Sequence, residues 1–239
     1  MPESQAAPVP APDRGDVWVV VPVFNEATVV AAVASEILQS FPNVVCVDDG
    51  SGDDSAAQIT TTGAHLVQHP INLGQGAALQ TGLSYAKARP GARFFITFDS
   101  DGQHRVEDAL AMLDVARSGA ADVVLGSRFL TQQTDVPRVK RIVLRTVVAL
   151  SPTSRRLKLS DAHNGLRVLT KPVVDDLKIT MHDMAHASEI IGYLAGSDWR
   201  VKEVPVTVNY TDYSRSKGQS LVNGVNILFD LSMKQRRKG

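Results

Sequence analysis

Asp99 and Asp101, separated by one residue in Phe98-Asp99-Ser100-Asp101-Gly102-Gln103, are the side chains whose type and spacing first suggest chemistry. Two carboxylates two residues apart at the end of a strand can turn toward one hard cation such as Mg²⁺ or Mn²⁺, which prefers oxygen ligands. Gln103 can add a third oxygen. A metal held there can bind a diphosphate and neutralise the charge that develops as it leaves. Asp48 and Asp49, in Val47-Asp48-Asp49-Gly50-Ser51, can accept hydrogen bonds from a ribose hydroxyl or a base N–H. The same cluster also offers helix caps in Ser51, Asp53 and Asp54. In Val21-Pro22-Val23-Phe24-Asn25-Glu26, Pro22 is expected to stop the strand from pairing further, and Glu26 stands at a helix start, where the dipole favours it.

The elements that position these residues follow from apolar patterning. Val17 to Val21 is an unbroken apolar run, as expected of a parallel strand buried on both faces. Helical spacing over Thr28 to Gln39 puts Val29, Val33 and Ile37 on one face. Further strands are expected at Val44 to Val47, His65 to Gln68, Phe94 to Phe98 and Asp122 to Leu125, alternating with helices near Ser55 to Thr61, Gly76 to Ala88 and Val106 to Arg117. Repeated alternation predicts an α/β fold with a mainly parallel sheet. Ligands of such sheets bind beyond the carboxyl ends of the strands. Pro22 to Glu26, Asp48 to Gly52, Asp99 to Gln103 and Gly126 to Arg128 should therefore converge.

Composition sets the outer limits. The 239 residues suffice for one sizeable domain, and 44% hydrophobic with 21% charged residues is ordinary globular usage. Net charge is zero, so bulk attraction to nucleic acid is absent. The charge is unevenly spread: Val136 to Ser160 holds no acidic residue but seven of Arg and Lys, and the chain ends Lys234-Gln235-Arg236-Arg237-Lys238. Such clusters can meet phosphates or an anionic lipid surface. Cys46 is the only cysteine, so no internal disulfide forms. No segment reads as a signal peptide or reaches the roughly 20 apolar residues of a membrane span. Residues 1–16, rich in Pro and Ala, read as a flexible leader, 17–213 as the domain, and 214–239 as a C-terminal helix with a basic tail. In that helix Leu221, Val222, Val225, Leu228 and Phe229 form an apolar face that suits either a membrane interface or packing on the domain.

Taken together, Val-Pro-x-Phe-Asn-Glu, Asp-Asp-Gly-Ser, Leu73-Gly74-x-Gly76-x-Ala78, Phe98-Asp99-x-Asp101-Gly102-Gln103 and Gly126-Ser127-Arg128 resemble the family 2 glycosyltransferases of the GT-A fold. The resemblance runs from Val17 to about Tyr213. It implies that Pro22, Phe24, Glu26, Asp48, Asp49, Gly76, Asp99 and Ser100 bind the nucleotide-sugar. It also implies that Asp99, Asp101 and Gln103 hold Mg²⁺ or Mn²⁺, and that the anomeric centre inverts by direct displacement.

The second half resembles the polyprenyl-phosphate glycosyltransferases, the group of dolichol-phosphate mannose synthase. The matching segments are Asp161-Ala162-His163-Asn164-Gly165-Leu166-Arg167, Ser188-Glu189-Ile190, Val201-Lys202-Glu203-Val204-Pro205-Val206 and Tyr213-Ser214-Arg215-Ser216-Lys217-Gly218-Gln219-Ser220. By this likeness Arg128, Arg138 or Arg141, Arg215 and Lys217 grip phosphates. The chain has Asp-Ser-Asp where the mannose synthases have Asp-Ala-Asp, and it lacks their tryptophan ahead of the basic cluster. Those departures bear on the sugar more than on the reaction class. A UDP-linked sugar is the expected donor, with GDP the alternative. The expected site of action is the cytoplasmic face of the cell membrane, against the lipid surface or a membrane partner protein.

The acceptor carries a physical argument. A saccharide hydroxyl must lose a proton as it attacks and needs a general base, for which Glu189 is the candidate. A lipid phosphate is already an anion and needs cationic guidance instead. The abundance of Arg and Lys favours phosphate, with the hydroxyl acceptor and a catalytically silent nucleotide-sugar-binding partner as alternatives. Intact Asp49, Asp99 and Asp101 argue against the silent partner. His182-Asp183-Met184-Ala185-His186 has a superficial likeness to a zinc helix but reads as a polar loop and helix start. Gly74-Gln75-Gly76 lacks the third glycine of a dinucleotide fingerprint, and reads as a tight turn with close backbone packing.

Overall fold

The structure, a computed structural model, describes residues 13–130, 152–181 and 185–209. Seven strands are described, of which the third and the seventh are partly exposed and the others largely buried. These are β1 (Val17–Val23), β2 (Asn43–Asp48), β3 (His65–Gln68), β4 (Phe94–Thr97) and β5 (Val123–Ser127), followed by β6 (Arg167–Thr170) and β7 (Val201–Pro205). The helices between them are α1 (Val30–Leu38), α2 (Ser55–Thr60), α3 (Gln75–Lys87), α4 (Val106–Arg117), α5 (Pro152–Arg156), α6 (Lys171–Asp176) and α7 (Ala185–Gly196).

The seven described strands form one sheet in the order β3-β2-β1-β4-β6-β5-β7. Every adjacent pair is parallel except the two that involve β6, which runs antiparallel to β4 and β5. Side chains alternate across the sheet as the pleat requires. Val17, Val19, Val21 and Val23 of β1 enter one core with α1 and α4, while Trp18 and Val20 enter the other with α3, α6 and α7. Helices thus cover both faces, which is why β1 and β2 carry no polar alternation.

Chain order reverses beside β1: β2 and β3 lie to one side of it and β4 to the other. The crevice at the carboxyl ends of β1, β2 and β4 is the switch point at which such sheets bind ligands.

One expectation is corrected. Pro22 does not end the strand: it sits in register with Val47, and β1 runs on to Val23. Val20 O accepts from Phe98 N on the β4 side and Val23 O accepts from Asp49 N on the β2 side. The absent N–H of Pro22 therefore falls on the β4 flank, beyond the last β1–β4 pair, where no partner is lost. Asp16 pairs with Arg117, Arg14 Nη1 donates to Ser40 O (3.2 Å), and Asn43 Nδ2 donates to Gly15 O (2.9 Å), so residues 13–16 are fastened to the body.

Candidate active site at the carboxyl end of the sheet

The turns after β1 and β2 are tied to each other before either meets a ligand. Asn25 N donates to Ser51 Oγ (2.9 Å), Glu26 N to Ser55 Oγ (2.8 Å) and Ala27 N to Asp53 Oδ2 (3.1 Å), while Gly52 N donates back to Asn25 Oδ1 (2.9 Å). Of the three candidate caps of α2, Asp54 stands at the N-cap without a side-chain cap bond, and Asp53 before it accepts from Ser55 N at 3.0 Å in an Asx turn.

Asp49 is buried, and its carboxylate accepts from Leu73 N (2.9 Å) and Gly74 N (2.7 Å) while bonding His69 Nδ1 at 2.7 Å. Asp48 is buried beside it and accepts from Ser51 N (3.2 Å). The 69–74 loop lies on Gly50, whose φ is +69°. A Cβ there would fall 2.5 Å from the Ile71 carbonyl carbon, so only glycine fits. Around this loop Phe24, Ile71 and Leu73 leave apolar surface exposed at the mouth of the crevice. Gly76, by contrast, is buried: a methyl on it would overlap the carbonyl oxygen of Met181, so its glycine identity answers to packing.

Asp99 follows β4. Gln75 Nε2 donates to its Oδ1 (3.2 Å), His104 Nε2 bonds its Oδ2 (3.0 Å), and 30% of the side-chain surface stays open. Burial works against its charge. The bond to His104 and the charges of His104, Arg167 and His186 outweigh that and hold the carboxyl below its usual range. Asp101 is the opposite case: burial and the charge of Asp99 push it up to about 6, with Glu26 adding to the repulsion. Gln103 N donates to Asp101 Oδ1 at 3.0 Å, and Ser100 and Gln103 are buried beside it. Two oxygen-donor side chains that repel each other, one of them starved of positive charge, fit a divalent cation.

The segment before β6 closes the other side. Thr97 Oγ1 donates to Gly165 O (2.6 Å), and a methyl on Gly165 would overlap the Asp99 carboxylate. Arg128 is gripped side-on by Asp161, Nε to Oδ2 at 2.6 Å and Nη2 to Oδ1 at 2.8 Å. Burial alone would raise Asp161, but the Arg128 guanidinium keeps it below the usual carboxylate range. Glu203 fixes the Asp161 backbone from β7 by accepting from Ser160 N, Ser160 Oγ and Asp161 N at 2.8 to 2.9 Å. Arg167, fully buried in β6, sits where the charges of Asp99 and Asp161 counter the burial of its own. Burial drives His163 down to about 4, so its ring is neutral near pH 7.

The crevice thus gathers Phe24, Glu26, Asp48, Asp49, Asp99, Ser100, Asp101, Gln103 and Arg128. Glu189 is placed otherwise. Its carboxylate accepts from Thr180 N, Thr180 Oγ1 and Met181 N, so it fastens that turn, and acting as a base would require it to release these donors. Arg138, Arg141, Arg215, Lys217 and the C-terminal helix lie outside the described residues. His104, Asp161, Arg167 and Glu203 were not singled out as site residues from the sequence. His104 had a readable signal, a histidine three residues after Asp101 in the same loop. Arg167 and Asp161 were marked only by the family-like segment they bound, and no local pattern marks a buried arginine in a strand.

The family model for glycosyl transferase family 2 matches residues 18–177. The chain belongs to that family. This glycosyltransferase is 31% identical over 231 residues to an uncharacterised protein of Methanocaldococcus jannaschii, covering 93% of both chains. It is 24% identical to the UDP-N-acetylglucosamine–dolichyl-phosphate N-acetylglucosaminyltransferase of Methanococcus voltae, over 91% of this chain and 95% of that one. Its fold matches glucosyl-3-phosphoglycerate synthase from Mycobacterium tuberculosis, solved with Mn²⁺, UDP-glucose and phosphoglyceric acid. The TM-score is 0.65 at 17% identity, over 83% of this transferase and 76% of the synthase. The mainly parallel α/β sheet read from the sequence is therefore that of a GT-A transferase. Among the described residues no helix is long and apolar enough to cross a membrane.

Proposed function

We propose that this glycosyltransferase moves a sugar from a nucleotide-diphospho-sugar, UDP-linked by preference, to a polyprenyl phosphate, with inversion at the anomeric carbon. The observation that carries the reading is the Asp99–Asp101 pair at the switch-point crevice, with Asp101 raised to about 6 by burial and by Asp99. Asp99 and Asp101, with Gln103 beside them, would hold Mg²⁺ or Mn²⁺. Such an ion, when bound, neutralises charge on a departing diphosphate. The protein's own groups do the rest. Gln75 and His104 keep the Asp99 carboxylate oriented, and Phe24, Ile71 and Leu73 offer apolar surface for a base beside the Asp49 loop. The guanidinium of Arg128, oriented by Asp161, brings positive charge to the crevice where an anion would sit.

A phosphate acceptor fits for two reasons. It attacks without giving up a proton, and Glu189, the candidate base for a hydroxyl acceptor, is engaged by the 180–181 turn. The Methanococcus voltae relative is named for a dolichyl-phosphate acceptor and matches along almost its whole length. A lipid acceptor places the enzyme at a membrane surface, as a peripheral protein on the cytoplasmic face. Mass spectrometry of the lipid and aqueous fractions, after incubation with UDP- or GDP-sugars and either polyprenyl phosphate or free saccharides, tests the reading. A glycosylated polyprenyl phosphate is expected; sugar found only on saccharides would overturn it.

A further inference from the structure

We infer that His69 is a positioning residue of the donor site, holding Asp49 and the 69–74 loop in place through a hydrogen-bonded chain that starts on α3. This deepens the nucleotide-sugar reading and rests on it. His69 is the first residue after β3. Its Nδ1 lies 2.7 Å from Asp49 Oδ1 and its Nε2 lies 2.9 Å from Thr81 Oγ1, in the second turn of α3. An ionised carboxylate only accepts, so Nδ1 carries a proton toward Asp49; in the neutral ring Nε2 then accepts from the Thr81 hydroxyl. The ring thereby bridges a sheet end and a helix, with 9% of its side chain exposed.

The loop is fastened at both ends, and its exit depends on this chain. At its entry His69 N donates to Asp48 O (2.9 Å). At its exit Leu73 N and Gly74 N donate to the carboxylate that His69 holds. A carboxylate offers about four lone-pair positions, and the three donors here fill most of them. Asp49 therefore acts first as the internal post of the loop. Its exit residue, Gly74, leads directly into Gln75, whose amide donates to Asp99 Oδ1 at 3.2 Å. One chain of bonds, Thr81 to His69 to Asp49 to the Gly74–Gln75 turn, thus links the nucleoside end of the crevice to the proposed metal end. If Asp49 swings free, the apolar lip of Ile71 and Leu73 and the Gln75 amide lose their common reference.

Two substitutions separate the two halves of the ring. His69→Asn places an amide N–H near the position of Nδ1 and keeps the bond to Asp49; His69→Gln reaches toward Thr81 and gives up Asp49. The probes are UDP and GDP, titrated calorimetrically in the presence of Mn²⁺ into full-length protein, with sugar transfer kinetics alongside. His69→Gln is expected to weaken binding of the preferred nucleotide about tenfold, as loss of a hydrogen bond to a charged group does. The donor KM should rise by a similar factor while kcat falls less. His69→Asn should stay within about threefold of wild type, a rescue that a bulk packing role would not give. A folded His69→Gln protein that binds the nucleotide as tightly as wild type overturns the proposal, as does an Asn variant no better than the Gln variant. Wild-type protein that binds neither nucleotide is a distinct outcome: it overturns the nucleotide-sugar reading and the positioning role with it.

Discussion

Asp101 is the residue at which stability and function pull apart. Its carboxyl is lifted from 3.8 to about 6 by burial and by Asp99, so in the metal-free protein its ionised form opposes folding. The sign follows from proton counting. Between those two values the folded state binds more protons than the unfolded one, so stability falls as pH rises through about 6 and is recovered as pH drops toward 3.8. Above that window the cost reaches up to about 3 kcal/mol. Asp101→Asn should therefore make the metal-free protein more stable at pH 7.5, by up to ~3 kcal/mol in urea melts, and the gain should vanish near pH 4. Equal stability of the two proteins at pH 7.5 would show that Asp101 is not held at a cost. The spacing of Asp99 and Asp101 was legible in the sequence because a strand end presents such a pair. Of the side chains that orient Asp99, His104 had its place in the same loop as a signal, whereas Gln75 had none, because nothing in spacing tells which of several polar side chains will turn inward.

At the level of elements, apolar runs made β1, β2, β4 and β5 readable, since a strand covered by helices on both faces is apolar throughout, while helical spacing marked α1 to α4 and only Leu66 and Val67 marked the short, partly exposed β3. β6 escaped that reading. Its sequence Arg167-Val168-Leu169-Thr170 opens on a charged residue, and only the fold shows that the charge is buried between Asp99 and Asp161. The antiparallel return of β6 likewise has no local signature, because it depends on how the 160–166 segment crosses beneath Asp99. That crossing makes Gly165 more informative than an ordinary loop glycine. Gly165→Ala puts a methyl where the Asp99 carboxylate sits, so transfer activity should fall by ~100-fold or more, as expected when a metal-site carboxylate is displaced. Gly52→Ala, with nothing within 4 Å of the added carbon, should keep near-normal activity and melting temperature. Comparable activity in the two variants would contradict the packing of the 160–166 segment against Asp99.

For the molecule as a whole, two opposed linkages bear on its acid behaviour. His163, driven down to about 4 by burial, binds fewer protons folded than unfolded, so its contribution is present above 6.5 and is lost as pH falls toward 4. Over nearly the same range Asp101 gains as pH falls, and in the metal-free protein the two largely offset. A bound cation requires Asp101 ionised and removes that gain. Mn²⁺ should therefore raise the melting temperature at pH 7 by several degrees, with the increment gone by about pH 5. An increment independent of pH would mean that the ion binds elsewhere.

The most direct test of the central claim is metal-dependent transfer of radiolabelled sugar from UDP- and GDP-sugars into organic-extractable polyprenyl phosphate, wild type beside Asp101→Ala. Label is expected in the lipid phase with Mg²⁺ or Mn²⁺, abolished by EDTA and reduced by ~1000-fold in Asp101→Ala. Label that enters the lipid phase equally well in Asp101→Ala, or without a divalent ion, would contradict it.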